Sequence, residues 1–402
     1  MKTTFTAIPT AYCRNTADRF AETSGIAIQT AHIAFVLFQP VRSAVTPAME
    51  RLGMGHKRKN SGSHKIKGSA MKIKIGLTYD LRSEYLNQGY SELETAEFDR
   101  EDTVAAIEEA LSSLGHVTER IGNAKQLVVA LAAGRRWEMV FNIAEGLHGI
   151  GREAQVPALL DLYQIPYTFS DPLVMSLTLH KGMTKRIIRD AGIPTSEFVV
   201  AKSQKDIAAT TFPPPFFVKP VAEGTGKGVT AASIIRDRTH LSSACSQLIN
   251  AFRQPVLIEP YLPGREFTVG IVGTGNRAMA LGTIEVHLME SAEAGVYSYA
   301  NKAQYLERIS YKLIRPGDDP VVAEAEQIAL AAWRVLGCRD AGRIDLRCNS
   351  IGQPLFMEVN PLAGIHPEHS DLPIICRHLD IGYVALIERI VASAAIRIGE
   401  TA

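Results

Sequence analysis

What the chain lacks narrows its function first. Its five cysteines, Cys13, Cys245, Cys338, Cys348 and Cys376, are scattered, odd in number and without metal-ligand spacing. That excludes a disulfide framework or a zinc module and points to a reduced, cytoplasmic compartment. A formal net charge of +1 leaves no field with which to hold nucleic acid or an anionic membrane. The apolar run from Ile33 to Phe38 is too short to span a bilayer and is closed off by Gln39 and Pro40. No internal repeat or heptad series is present. The Gly-rich stretch at 223–228 is not a Walker A loop, because Gly228 stands where Ser or Thr would follow the lysine. His366, Glu368 and His369 lack His-Glu-x-x-His spacing, and Pro367 would break the helix that such a metal motif needs.

What is there suits an enzyme. With 402 residues and 46% apolar content the chain can bury more than one core. Gly342 to Arg347 and Phe356 to Pro361 are short runs rich in strand formers, separated by the turn residues Asn349, Ser350 and Gly352, so a hairpin is predicted. Alternation puts Arg343, Asp345 and Arg347 on one face of their strand and Phe356, Glu358 and Asn360 together on one face of theirs. Asp345 can then oppose Glu358. Two carboxylates and an amide suit a hard cation, Mg²⁺ or Mn²⁺, that keeps phosphate oxygens and water in its remaining positions. A solvated polar hairpin is the other reading.

Upstream, Pro213 to Pro220 reads as a buried strand that delivers Lys219 just before Glu223-Gly224-Thr225-Gly226-Lys227-Gly228. Three glycines there let backbone N–H groups approach an anion, although an ordinary turn has the same look. Val256 to Leu262 is another apolar strand with an acid, Glu259, near its end, followed by Gly264 to Val269 with Glu266. Such an acid at the mouth of an apolar slot can accept from an adenine amino group or a ribose.

The order of strand lysine, glycine loop, acidic strand end and two-strand metal site resembles the ATP-grasp superfamily, and within it the D-alanine:D-alanine ligase family, over residues 71 to 395. Tyr167 to Asp171, Leu179 to Lys185 and Ala191 to Thr195 also fit. The resemblance implies an α/β protein: an open Rossmann-like domain, then a two-subdomain ATP-grasp α+β clamp. It implies ATP and Mg²⁺, small amino-acid substrates, and a homodimer as family members commonly form. By position, Lys181 and Lys219 are similar to the family's phosphate lysines, and Glu223, Gly224, Thr225, Gly226, Lys227 and Gly228 to its phosphate-covering loop. Glu259, Tyr261 and Leu262 match the adenine segment, Glu266 the ribose acid, and Asp345, Glu358 and Asn360 the metal ligands. Arg343 and the Gly364 N–H match the oxyanion donors, Ser370 the residue that holds the second amino acid's carboxylate, and Lys302 the closing loop.

Departures from the family pattern concern the first substrate. The double glycine after the opening strand is missing. Glu97, within the acidic run Glu94 to Asp102, stands nearest to the glutamate that binds the first amino group, and the same run also reads as a plain helix start. Thr225 and Gly226 replace two serines, leaving the Thr225 hydroxyl to position substrate. His148 and Arg152 lie in a Gly-rich loop that either faces the first substrate or is simply solvated.

The organisation expected is an N-terminal extension over residues 1–70, an open α/β domain over 72–169, and clamp halves over 170–257 and 258–395. Within the α/β domain, strands are expected at 73–79 and 139–143 and helices over 103–114, 124–133 and 155–163; a further amphipathic helix is expected over 320–336. The extension, with its basic stretch His56 to Lys65, reads as disordered sequence ahead of a start at Met71, or else as a targeting segment or nucleic-acid arm.

Overall fold

Strand β1 (Lys74–Tyr79) is buried after its first residue, with both of its faces covered. It pairs in parallel with β2 (Val117–Gly122) and β3 (Met139–Ile143) in the order β2-β1-β3. A computed structural model of the chain describes residues 72–293, 295 and 305–401. The expected extension, Lys302 and most of the closing loop lie outside the described residues.

The helix Glu101–Ser113 crosses between β1 and β2 and starts two residues earlier than expected, since Glu101 and Asp102 occupy its first turn, where the helix dipole favours carboxylates. The next helix, Ala124–Ala132, is capped by Asn123, whose side chain accepts from the N–H groups of Lys125 and Gln126. A third, Gln155–Leu162, follows β3. The last helix of the chain, Tyr383–Thr401, returns to this first sheet: Leu386, Ile387 and Ile390 share one core with Ile75, Leu77 and Phe141.

An antiparallel sheet follows, built from β4 (Val199–Ala201), β5 (Phe216–Pro220), β6 (Ile234–Ile235) and β7 (Val256–Pro260) in the order β4-β7-β5-β6. Strand β7 runs through the expected 257/258 boundary. The third sheet, also antiparallel, comprises β8 (Glu266–Val272), β9 (Met279–Leu288), β10 (Ile309–Ile314), β11 (Ala341–Cys348) and β12 (Pro354–Asn360), in the order β10-β9-β8-β11-β12. Behind it lies the helix Pro320–Leu336, with Asp319 as N-cap, Pro320 at its first position and Gly337 at φ 75 closing it. Trp333 on this helix is core, fully buried, with its indole N–H donating to the Gly273 carbonyl at 3.1 Å.

The β11–β12 hairpin pairs Asp345 with Glu358 and Arg343 with Asn360, the register expected from the turn. One expectation needs correcting. Phe356 does not share a face with Glu358 and Asn360. A bulge between Asp345 and Leu346 sets Leu346 opposite Phe356, so Met357 is the extra residue. Phe356 is therefore fully buried in the core, while Met357 and Glu358 both line the cleft.

Asp340, buried and at φ 63, ties the last helix to the first and third sheets. Its carboxylate accepts from the Phe169 N–H (2.8 Å), Thr274 Oγ1 (3.1 Å), Ser393 Oγ (2.9 Å) and Arg397 (2.8 Å). Asp340→Ala strands these donors and should cost about 3–5 kcal/mol of stability. Urea unfolding would measure it, and a loss below about 1 kcal/mol would contradict this role.

Candidate active site

The cleft between the two antiparallel sheets is built on buried ions. Lys185 points inward from the helix Lys181–Asp190 with no exposure to solvent. Its Nζ lies 2.5 Å from Glu259 Oε1 and donates to Ser196 Oγ at 3.0 Å. Ser196 Oγ in turn donates to the same Glu259 oxygen at 3.0 Å. The other oxygen of Glu259 lies 3.4 Å from Lys219 Nζ. Both oxygens of Glu259 are thus engaged within the protein. Burial pushes its carboxyl up, but Lys185 and Lys219 outweigh burial and hold it below the ordinary carboxylate range. For Lys219 burial works downward, and Glu259 and Glu358 more than offset it, so its ammonium titrates above the usual lysine range. Burial wins at Lys185, which is lowered despite Glu259.

Glu358 brings the β11–β12 hairpin to the lysines. Glu358 Oε2 lies 3.6 Å from Lys181 Nζ and 3.7 Å from Lys219 Nζ. Asp345 accepts from Thr268 Oγ1 at 2.9 Å and from Asn360 Nδ2 at 3.3 Å. Asp345, Glu358 and Asn360 are hard oxygen donors on adjacent strands. Among the described residues no set of three or more His, Cys, Asp or Glu makes a closed metal cage. That donor set fits Mg²⁺, which takes one or two carboxylates and fills its remaining positions with phosphate and water.

One pocket of the cleft is lined by Lys181, Lys219, Glu223, Gly226, Lys227 and Glu266 together with Asp345 and Glu358. Phe217, Arg347 and Met357 also line it. Arg347 lies 3.1 Å from Glu266, donates to Tyr261 Oη at 3.3 Å and to the Gly295 carbonyl at 3.2 Å, and stacks over the Tyr261 ring. Leu262 is half-buried just after β7, and Glu259 lies behind Lys219 rather than on the pocket surface.

A second, adjoining pocket gathers Glu97, Gly224, Thr225, Arg343, Asn360 and Gly364, and Lys181 and Glu358 border both. Arg343 is ion-paired with Asp371 and lies 3.5 Å from Asp345. Ser370 adjoins Gly364: a side chain at Gly364 would begin 2.9 Å from Ser370 Oγ, and that oxygen accepts from the His366 N–H at 3.0 Å. His148 is not brought to either pocket. It is exposed, its ring centroid 6.5 Å from that of Tyr90, because the loop 147–150 points into solvent.

Glu97 is buried and fully engaged by its surroundings. It accepts from the Gly224 N–H at 2.5 Å and from Arg152 at 2.8 Å, and Lys227 Nζ lies 3.3 Å away. A side chain at Gly224 would begin 2.5 Å from Glu97 Oε1, so this approach requires glycine. Burial would raise the Glu97 carboxyl, but Arg152 and Lys227 overcome it and hold the group low. The glycine-rich loop is closed further by Lys181 Nζ donating to the Glu223 carbonyl at 2.6 Å and by Lys227 pairing with Glu223 at 2.7 Å. Residues with no place in the sequence reading of the site are Lys185, Arg347, Glu145, Glu153 and Asp371. Their signal in sequence was at most a charge beside an apolar run.

Comparison with known proteins agrees with this architecture. A family model described as the D-ala D-ala ligase C-terminus matches residues 187–392. A D-alanine–D-alanine ligase of Bordetella avium is 34% identical over 299 residues, covering 73% of this chain and 89% of that protein. The D-alanine–D-alanine ligase of Bacillus anthracis, solved with ATP, superimposes with a TM-score of 0.60 at 20% identity, over 82% of this chain and 100% of that one. The VanG D-Ala:D-Ser ligase of Enterococcus faecalis does so with a TM-score of 0.61 at 18% identity, over 80% and 99%. At those identities the superpositions speak for the fold.

Glu97→Gln removes the charge that the loop donors share. Hydrogen bonds to a charged group are worth about 1.5–3 kcal/mol, so trypsin cleavage after Lys227 should speed up about tenfold or more. Because Glu97 is held low, the wild-type closure persists at neutral pH and weakens only as pH falls below the ordinary carboxylate range. Unchanged cleavage in the variant would show that the loop does not depend on Glu97.

Proposed function

The chain belongs to the D-alanine–D-alanine ligase family, and from that membership we propose that it joins two amino acids at the expense of ATP, D-alanine to D-alanine or a close relative, for cell-wall precursor synthesis. The observation that carries the proposal is the convergence of Lys181, Lys219, Asp345 and Glu358 on one pocket, with Arg343 beside it in the next. A cytoplasmic location and a homodimer go with this reading.

The first amino acid's carboxylate oxygen attacks the γ-phosphorus of ATP, and ADP leaves with the electrons of the broken P–O bond. Lys181 and Lys219 offset charge on the transferring phosphoryl group. Mg²⁺ held by Asp345, Glu358 and Asn360 supplies further charge neutralisation there when bound. The resulting acyl phosphate is a far better electrophile than a carboxylate. Glu223 to Gly228 keep water from it, and Tyr261, Leu262 and Glu266 hold the nucleoside end.

The amine of the second amino acid, its carboxylate held at Ser370, then attacks the acyl carbon. Negative charge gathers on the carbonyl oxygen, where Arg343 and the Gly364 N–H donate. Collapse expels phosphate and leaves the amide, and the amine's proton goes to solvent or to phosphate. The ion pair with Asp371 keeps Arg343 aimed at this point.

Phosphate release from ATP and Mg²⁺ across D- and L-amino acids, offered singly and in pairs, tests the reading. Release that depends on D-alanine, with dipeptide formed, is expected. Another productive pair would move the substrate, and no release with any pair would overturn the proposal. Glu358→Gln should lower turnover by about a hundredfold or more. Arg343→Ala should lower kcat by about 10²–10³-fold with little change in the KM for ATP. Full activity in either variant would refute the role assigned to that residue.

A further inference from the structure

Glu145 and Glu153 stand out because Arg152 and, at Glu153, Lys181 oppose their charge only through space. Both line the second pocket, and among the described residues neither carboxylate makes a hydrogen bond or an ion pair. Glu153 is 8% exposed. Glu145 follows β3 and Glu153 sits in the one-turn helix Arg152–Ala154. The two segments are pressed together at Gly146, where a side chain would begin 2.7 Å from the Arg152 carbonyl oxygen. Glu97, beside them, is satisfied by Arg152, Lys227 and the Gly224 N–H.

The same pocket is also lined by Lys181 and Arg343. A pocket lined by both acids and bases suits a zwitterion, its ammonium at the glutamates and its carboxylate toward the lysine and arginine. We infer that Glu145 and Glu153 together receive the ammonium of the first amino acid, and that Glu97 instead secures the glycine-rich loop. This rests on the ligase reading and adds the residues that recognise the first substrate.

The electrostatics of the pocket agree. Burial first, then neighbouring carboxylates, raise both groups: Glu153 to about 7, against the lowering effect of Arg152, and Glu145 well above the ordinary carboxylate range. Glu97 and Asp99 add to the repulsion at Glu145, with Arg152 opposing it, while Glu97 adds to it and Lys181 opposes it at Glu153. A bound ammonium would relieve that repulsion.

The test compares Glu145→Gln, Glu153→Gln and Glu97→Gln in the full chain. KM values are measured for ATP and for the first amino acid at saturating second amino acid, and melting temperatures without ligand. Each of the first two variants should raise the KM for the first amino acid about tenfold or more, leave that for ATP within about twofold, and melt no lower than wild type, since the repulsion between neighbouring buried acids has been reduced. Glu153→Asp should recover part of the loss. The inference is overturned if the first two variants leave the amino-acid KM unchanged, or if Glu97→Gln alone raises it. Should Glu153→Gln fail to fold, Glu145→Gln carries the same test. If the wild-type protein turns over with no amino acid at all, the ligase reading fails as well, which separates that failure from this one.

Discussion

The site depends on the ion pair between Lys185 and Glu259, both buried. Removing two charges from water costs several kcal/mol each, which only close geometry and further hydrogen bonds offset. Here Ser196, Lys219 and the Phe356 carbonyl provide them, the last 3.5 Å from Lys185 Nζ. The consequence is positional. One buried carboxylate on β7 fixes a lysine on a helix and another on β5, and the same helix lysine reaches the backbone of β12. Four elements on both sides of the cleft therefore share one charged centre.

From that centre the charges alternate outward. Glu259 faces Lys219, Lys219 faces Glu358, and Glu358 faces Lys181 as well. Asp345 continues the pattern to Arg343, and Arg343 to Asp371. A polyanion entering such a site meets cations already held in place, so little reorganisation is left for the moment of reaction. The cations in turn tolerate close spacing because acids stand between them.

Much of this frame was legible in the sequence where local rules decide it. The turn Asn349 to Gln353 fixes its own geometry, Asn349 Oδ1 accepting from the N–H groups of Ile351 and Gln353, and so the pairing of Asp345 with Glu358 could be read. The extra residue Met357 could not, because a bulge inside a run of strand formers leaves no mark in composition, and Phe356 was assigned to the wrong face. Glu97 was legible as the acid nearest to the family's amino-group glutamate, or as part of a helix start, but not as a partner of Gly224, since that contact joins segments 127 residues apart. Glu145 and Glu153 were silent for the same reason. His148 looked equivalent to them in its Gly-rich loop, and only the path of the backbone separates an exposed imidazole from two enclosed carboxylates.

The closure of the glycine-rich loop onto Glu97 carries a thermodynamic consequence. The Gly224 N–H and Lys227 ammonium that hold Glu97 are also groups on the loop proposed to cover a nucleotide's phosphates. Any phosphate that draws them away leaves Glu97 to Arg152 and re-seats the loop where Gly224 and Thr225 border the amino-acid pocket. The two ligands are then coupled through that loop, and linkage makes the coupling mutual: the factor by which nucleotide changes amino-acid binding equals the factor by which amino acid changes nucleotide binding.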